Sequence, residues 1–495
     1  MVHIKENAPF AGRLFSCIAV CLAHIVSLKN QFVDFDDPVI FLNRTDLQES
    51  FSVFFRRAFD LSRKDTWRPI RDLSHWLDYQ LHGHQEVFSH LHNLILLWCV
   101  VWSFCALCDK LKFDRQWAYL SIVLAFVHPV QVETISWISG RKDLLATLFM
   151  TMSLSSFINV IQDKSWRLNC VLTISTYCLA VMSKGNMVVM PVLYLFTRQI
   201  LVFNQPSFAT RNHRVWLVVV LTSTIGLFVA SRIADGGVAL PPTLIDDSRY
   251  GITLLDKLEL PIRYSLLVLW PTQLNHVYLT RSEGPLQLAL AILSVVLVVT
   301  VLRLTYRSWR KGSMNGPMAL MIVTLMLPYL HIKPGVVYMA NRYLFAVMPW
   351  FFLLTLNVLR RSSIIQRQNV RLRNSIIGMV FLSAFGLSVR EHAAFENSIT
   401  LWSRMTAVYP QSAWGFDRLG HALMKEQNWE AASGAWIRST QLRPDDAKYP
   451  NNAAVAAMAA GKYEFAHRIL KAAIKRHPAD EHIIQNLRLT EQNIQ

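Results

Sequence analysis

Three carboxylates, Asp34, Asp36 and Asp37, fall within four residues of the stretch FVDFDDPVIFLN, residues 32–43. They follow directly on an apolar run, LFSCIAVCLAHIVSL, residues 14–28, which reads as a first membrane span. A carboxylate held at a membrane surface can take the proton of an incoming hydroxyl, which is general-base chemistry. A solvated charged loop is the structural alternative. Ionisable residues recur at the ends of later apolar runs, in HPVQVETISWISGRKD (128–143), MSKGN (182–186) and HIKPGVVYMANRY (331–343). Those stretches carry Arg141, Lys142, Lys184, Lys333 and Arg342. Cations gathered on the side of the acids suit an anionic lipid head group. Snorkelling at a helix end is the alternative for each of them.

The elements that must position these residues follow from hydropathy. The chain has 495 residues, 53% of them hydrophobic and 17% charged, and long apolar runs recur through its first four-fifths. This is the pattern of an all-α, polytopic membrane protein. Eleven spans are expected, near 12–28, 88–108, 116–131, 143–161, 167–183, 187–203, 214–231, 284–303, 316–331, 342–359 and 372–389. The stretch 258–271 is interrupted by Pro261 and Arg263 and reads as an interfacial helix. With eleven spans, five basic loops share the cytoplasmic side, and the excess of Lys and Arg sets that orientation. The loop 29–87 and everything after 390 then face the periplasm or a lumen. The net charge of +17 is accounted for by these short loops, so nucleic-acid binding is not required. The first apolar run lacks a small-residue cleavage site and reads as a span, not a signal peptide. The seven cysteines lie in or beside apolar runs, as buried free thiols would.

Hydropathy drops after Arg390, and residues 391–495 read as a separate helical domain. Pro444 and Pro478 are 34 residues apart, which is the tetratricopeptide period. Aligned on the prolines, Leu419, Gly420, Ala432 and Trp436 fit the pattern in one unit, and Gly461, Ala466, Leu470 and Ala473 in the next. Two repeats are few for such an array, so the flanking helices at 391–408 and 480–493, or the membrane domain, are expected to support them. A structural or partner-binding role is expected there, not catalysis.

FVDFDDPVIFLN, WRPI (67–70), VFSHLHN (87–93), HPVQVETISWISGRKDLLA, SKGNMVVMP and NRYLF occur in that order over nearly the whole chain. In this the sequence resembles the GT-C membrane glycosyltransferases, and among them the transmembrane-and-tetratricopeptide O-mannosyltransferase-like proteins and their bacterial relatives. The resemblance implies an inverting transfer of a sugar from a polyprenyl-phosphate donor to a hydroxyl, on a protein Ser or Thr. Carried onto this sequence it makes Asp36 the general base and Asp37 its neighbour in the acceptor site. Arg141, Lys184 and Arg342 become the ligands of the donor phosphate, where arginine offers bidentate contact. Further site candidates are His128, Glu133, Asp143, Arg68 and His90. For His128 a capping or packing role is the alternative, for Glu133 a structural one, and Asp143 can pair with Arg141. The cations can do the electrostatic work, so a divalent metal is possible but not demanded, and no cofactor beyond the lipid-linked sugar is implied. Asp34 and Trp98 depart from the family pattern. Two other readings stay open: the same fold modifying a glycolipid or surface polysaccharide, and a non-catalytic membrane scaffold. The small number of repeats favours a bacterial inner membrane with the site facing the periplasm, with the endoplasmic reticulum membrane as the alternative. The sequon NRT at Asn43 lies inside the acidic motif, so glycosylation there is not expected.

Overall fold

The computed structural model describes residues 8–60, 67–208, 212–235, 254–272, 274–278, 284–330, 339–367 and 369–494. Lys333 lies outside the described residues. Among the described residues every regular element is a helix. Two compact units emerge. One comprises Met1–Asn30, Asp36–Leu274 and Arg281–Ala393, the other Gln31–Phe35, Asn275–Thr280 and Ala394–Gln495.

In the first unit the chain runs through α1 (Ala8–His24), α2 (Phe51–Ala58), α3 (Pro69–His82), α4 (Glu86–Lys110), α5 (Arg115–Val127), α6 (Val132–Ser136), α7 (Arg141–Ile161) and α8 (Trp166–Ser183). It continues through α9 (Met190–Asn204), α10 (Asn212–Asp235), α11 (Leu254–Leu269), α12 (Pro285–Arg310), α13 (Asn315–Met326), α14 (Met348–Arg361), α15 (Ser363–Arg367) and α16 (Val370–His392). Among the described residues six stretches are long and apolar enough to cross a bilayer: Pro9–Lys29, Glu86–Lys110, Ile138–Ile161, Gly185–Asn204, Pro285–Arg310 and Val370–Phe395. A seventh would be α5 taken with Pro129–Ser136, which meet at a bend of 56°. The other expected spans fall on helices that do not meet this test, so the count of eleven rests on shorter elements such as His213–Val229 and Asn315–Tyr329. The stretch set aside as non-spanning is α11, 16 residues with Pro261 inside it.

Burial orders these helices. The apolar stretch of α7 is mostly enclosed, and those of α12 and α16 are almost wholly exposed. Leu286, Ile292, Val296 and Val299 on α12, with Met379 and Leu382 on α16, present bare aliphatic surface. A surface of that extent requires lipid. The packed core lies among α1, α4, α5, α7, α9 and α14, around Phe104, Phe126, Phe157 and Trp350. All seven cysteines are free thiols.

The second unit carries α17 (Ser398–Val408), α18 (Ala413–Lys425), α19 (Trp429–Leu442), α20 (Lys448–Ala459), α21 (Tyr463–Ala473) and α22 (Glu481–Ile494), each packed on the next. Asn397 and Thr400 close a capping box at the start of α17. Small residues let α18 and α19 approach: a methyl group on Gly420 would stand 2.6 Å from the Trp436 ring. Trp436 Nε1 donates to Asp417 at 2.9 Å, and Lys448 Nζ reaches the other Asp417 oxygen at 2.7 Å, so one carboxylate ties three helices.

Candidate functional site

The residues from His128 to Asp143 are all buried. A 3-10 turn (Pro129–Gln131), α6 and a second 3-10 turn (Ile138–Gly140) lead into α7. Gly140 is required for this path, because a Cβ there would stand 2.1 Å from the Thr134 carbonyl oxygen. The tight return sets Arg141, Lys142 and Asp143 in the first turn of α7, with Trp137 and Ser139 beside them.

Asp36 and Asp37 meet this segment in different ways. Asp37 is fully buried, and its Oδ1 accepts the Ser139 backbone N–H at 3.3 Å. The Asp36 side chain stays 45% exposed, with Oδ2 at 3.8 Å from Lys142 Nζ and 3.5 Å from Ser139 Oγ. Lys142 Nζ also donates to Ser139 Oγ at 2.9 Å. Asp34 belongs to the second unit, where its backbone N–H donates to Ser398 Oγ at 2.8 Å.

Further charges surround Asp36. Trp137 receives two cations, Lys142 Nζ at 4.6 Å from the ring centroid and Arg342 Cζ at 5.1 Å. Arg342 pairs with buried Glu133, which also accepts the Asn341 backbone N–H at 3.1 Å. Lys184 pairs with Asp143 and donates to the Tyr329 hydroxyl at 3.0 Å. Tyr329 and Tyr343 stack at 4.2 Å under these cations. Arg68 precedes α3, is half-buried, and makes no ion pair among the described residues. Burial and then the Arg71 charge push its guanidinium down to about 10, against the pull of Asp143 and Asp36. The cations Arg68, Lys142, Lys184 and Arg342 thus stand with the carboxylates Asp36, Asp37, Glu133 and Asp143.

Arg141 is placed apart from this group. It is fully buried and paired with Asp78 of α3. Its Nε donates to Asn93 Oδ1 at 2.9 Å, and its Nη atoms to the Ser89 carbonyl at 2.9 Å and the Ser74 carbonyl at 3.3 Å. It thus clamps α3 and α4 onto α7. Asp143 pairs with Lys184 and not with Arg141, the partner its sequence proximity offered. Burial pushes Asp78 up, but the His92 hydrogen bond at 2.6 Å and the Arg141 charge win and hold it below the usual carboxylate range. Burial, then Arg141, pushes His75 well below the usual imidazole value, so it stands neutral beside the clamp.

His128 accepts the Val130 N–H at Nδ1, 3.3 Å, and donates from Nε2 to the Val268 carbonyl, 3.0 Å. Both ring nitrogens are therefore used in capping and packing. His90 is fully buried on α4, within electrostatic reach of His392. His392 joins a chain that sequence reasoning missed. Ser136 Oγ bonds His392 Nδ1, His392 Nε2 meets His24 Nδ1 at 3.0 Å, and His24 Nε2 donates to the Phe126 carbonyl at 2.8 Å. With both rings neutral, that last bond sets each as the Nε2–H tautomer, and the chain fastens α6, with Glu133 on it, to α1 and α16. Asp78, Ser139 and Trp137 were also missed as site-building residues. Trp137 and Ser139 lie inside a quoted motif and Asp78 between two of them, but nothing in their spacing marks them.

Fold and site together describe an all-helical membrane protein with a charged, aromatic-lined cluster at the ends of its apolar helices. No family model matches the chain. It resembles the TMTC protein O-mannosyl-transferases over most of its length. The human protein O-mannosyl-transferase TMTC3 is 24% identical over 90% of this chain and 52% of its own, and the mouse TMTC3 is 24% identical over 88% and 51%. The mouse TMTC1 is 31% identical over 28% of this chain and 16% of its own. The chain thus spans about half the length of the TMTC3 relatives it matches.

Proposed function

We propose that this chain is an inverting GT-C-type glycosyltransferase that moves a sugar from a polyprenyl-phosphate donor to the hydroxyl of a protein Ser or Thr. The observation that carries the reading is Asp36, a half-exposed carboxylate 3.8 Å from Lys142 and within electrostatic reach of Arg68 and Arg342. Asp36 takes the acceptor's proton as its oxygen attacks C1 from the side opposite the phosphate. The C1–O bond to phosphate breaks, and the configuration at C1 inverts. The departing phosphodiester becomes a monoester and gains a second negative charge. A positioned base is worth about 10²–10⁴-fold, and fixed cations stabilise the charge that develops on the leaving group. Arg68, Lys142, Arg342 and Lys184 are the cations for that task. Of these, Arg68 has a guanidinium uncommitted to any carboxylate among the described residues, so it makes the direct bidentate contact. Arg141 holds the site together from below. No step requires a metal.

The helices α18 to α21 are read as two tetratricopeptide units. Their start points repeat at the period of the sequence pattern, and small residues sit where the pairs cross. Their role is to recruit the polypeptide acceptor or a partner protein. The site faces the periplasm or a lumen, and the animal origin of the similar proteins supports the endoplasmic reticulum membrane over a bacterial inner membrane. The test is transfer from polyprenyl-phosphate mannose to a Ser/Thr peptide by the purified chain. Asp36→Asn is expected to abolish transfer while donor binding persists, and Asp34→Asn to be mild. Wild-type transfer by Asp36→Asn would overturn the assignment.

A further inference from the structure

A second cationic site lies away from Asp36. A cavity of about 310 Å³ is lined by Trp117, Arg360, Arg361, Gln366 and Arg373. Its position follows from the three helices that form it. α5 begins at the cavity with Trp117 and ends at His128. α14 starts just after Arg342 and ends at Arg360 and Arg361. α16 begins beside Arg373 and ends at His392, which is bonded to Ser136. Helices of 13, 14 and 23 residues separate the two sites, roughly 20–35 Å at 1.5 Å per residue. The cavity is therefore at the opposite membrane face, the one to which the basic loops assign the cytoplasm.

Three arginines line it, and one of them has a carboxylate neighbour. Arg360 Nη1 stands 3.6 Å from Asp114 and its Nε donates to Asn357 at 3.1 Å. Arg361 and Arg373 make no ion pair among the described residues. Arg373 Nε is enclosed without a hydrogen-bond partner among the described residues, and its guanidinium lies 5.6 Å over the Trp117 ring. An arginine so held, with donors unspent and its face on an aromatic ring, is set for an anionic oxygen cluster. A crevice of only about 10 Å³ shares Trp117 and Arg360 and runs on between α5 and α14, past Asp114, Ser121 and Asn357, to Phe113, Ala118 and Leu353. Val370, Leu372 and Ile376, at the same end of α16 as Arg373, are exposed aliphatic residues, so a phosphate held at the arginines leaves its acyl chains on lipid-facing surface, which fits an amphiphile better than a soluble ion.

We propose that this cavity binds the phosphate of an anionic phospholipid of the cytoplasmic leaflet. The assignment is independent of the transfer reaction and stands or falls by lipid binding alone. The full chain is reconstituted in nanodiscs of phosphatidylcholine with phosphatidylglycerol, and the lipids that remain bound are read by native mass spectrometry. Phosphatidylglycerol should be retained in preference to phosphatidylcholine. Arg361→Gln and Arg373→Gln should each lower that preference about fivefold, and Arg371→Gln, outside the cavity, should leave it unchanged. Arg361 is exposed, so its variant keeps the test valid if the Arg373 variant fails to fold. Equal retention of the two lipids, or an unchanged preference in the Arg361 variant, overturns the proposal. Displacement of phosphatidylglycerol by millimolar glycerol 3-phosphate at wild-type stability would assign the site to a soluble phosphate and overturn the lipid assignment.

Discussion

Replacing Arg141 by Lys and Arg68 by Gln separates the clamp from the substrate ligand. Arg141 is fully buried and holds Asp78, Asn93 and the carbonyls of Ser74 and Ser89. A lysine ammonium keeps the Asp78 pair and reaches at most part of the rest. At about 1 kcal/mol per lost bond, plus the cost of buried acceptors left unmet, Arg141→Lys should destabilise by about 2–4 kcal/mol. Arg141→Met leaves the Asp78 carboxylate short of its cation and should cost about 3–5 kcal/mol. Arg68 makes no ion pair among the described residues, so Arg68→Gln should change stability less than the Arg141 substitutions do, by about 1 kcal/mol or less. Loss of a charged hydrogen bond to the donor phosphate is worth about 1.5–3 kcal/mol, or roughly ten- to a hundredfold in donor affinity. Thermal unfolding by tryptophan fluorescence reads the first effect, and titration with a polyprenyl-phosphate sugar reads the second. Arg141 variants should shift the unfolding midpoint with donor affinity near normal in the folded fraction, and Arg68→Gln the reverse. A midpoint unchanged in Arg141→Lys together with lost donor binding would refute the reasoning and return Arg141 to the phosphate.

Three further outcomes are expected. Asp37→Ala strands the buried Ser139 N–H and should cost about 1–3 kcal/mol, whereas Asp37→Asn keeps an acceptor and should recover most of the stability. The comparison is read from unfolding midpoints. Gly140→Ala puts a methyl 2.1 Å from the Thr134 oxygen, so folded yield after size-exclusion chromatography should collapse, and a wild-type yield would show that the turn can relax. In the second unit, burial pushes Asp417 up, but hydrogen bonds from His421 and Lys448 prevail and hold it down at about 2. A depressed carboxylate stabilises above its unfolded value, and the stability is lost as pH falls through the folded one. Roughly 2 kcal/mol should therefore disappear between about pH 4 and pH 2. Hydrogen exchange in α18 to α20 should rise over that window, and Asp417→Asn should remove the pH dependence.

The sequence by itself determined that the chain is helical and lipid-facing, because apolar runs of span length admit no other backbone solution. It also placed the acids, the 128–143 segment, Lys184 and Arg342 at the ends of apolar runs, and the order of those motifs carried the resemblance. The pairing of charges was not legible. Glu133 finds Arg342 across 209 residues of chain and Lys184 finds Asp143 across 41, and no local pattern encodes such partners. Adjacent acids were likewise indistinguishable. The chain turns in helical geometry at Asp37, which directly precedes the turn Pro38–Leu42. Neighbouring side chains on such a turn point about 100° apart, so one carboxylate enters the protein and the other stays open. Arg141 has the residue type of a phosphate ligand, but α3 and α4 close over it. Which cations remain for a substrate is decided by which ones the packing has already consumed, and that is a property of the tertiary structure alone.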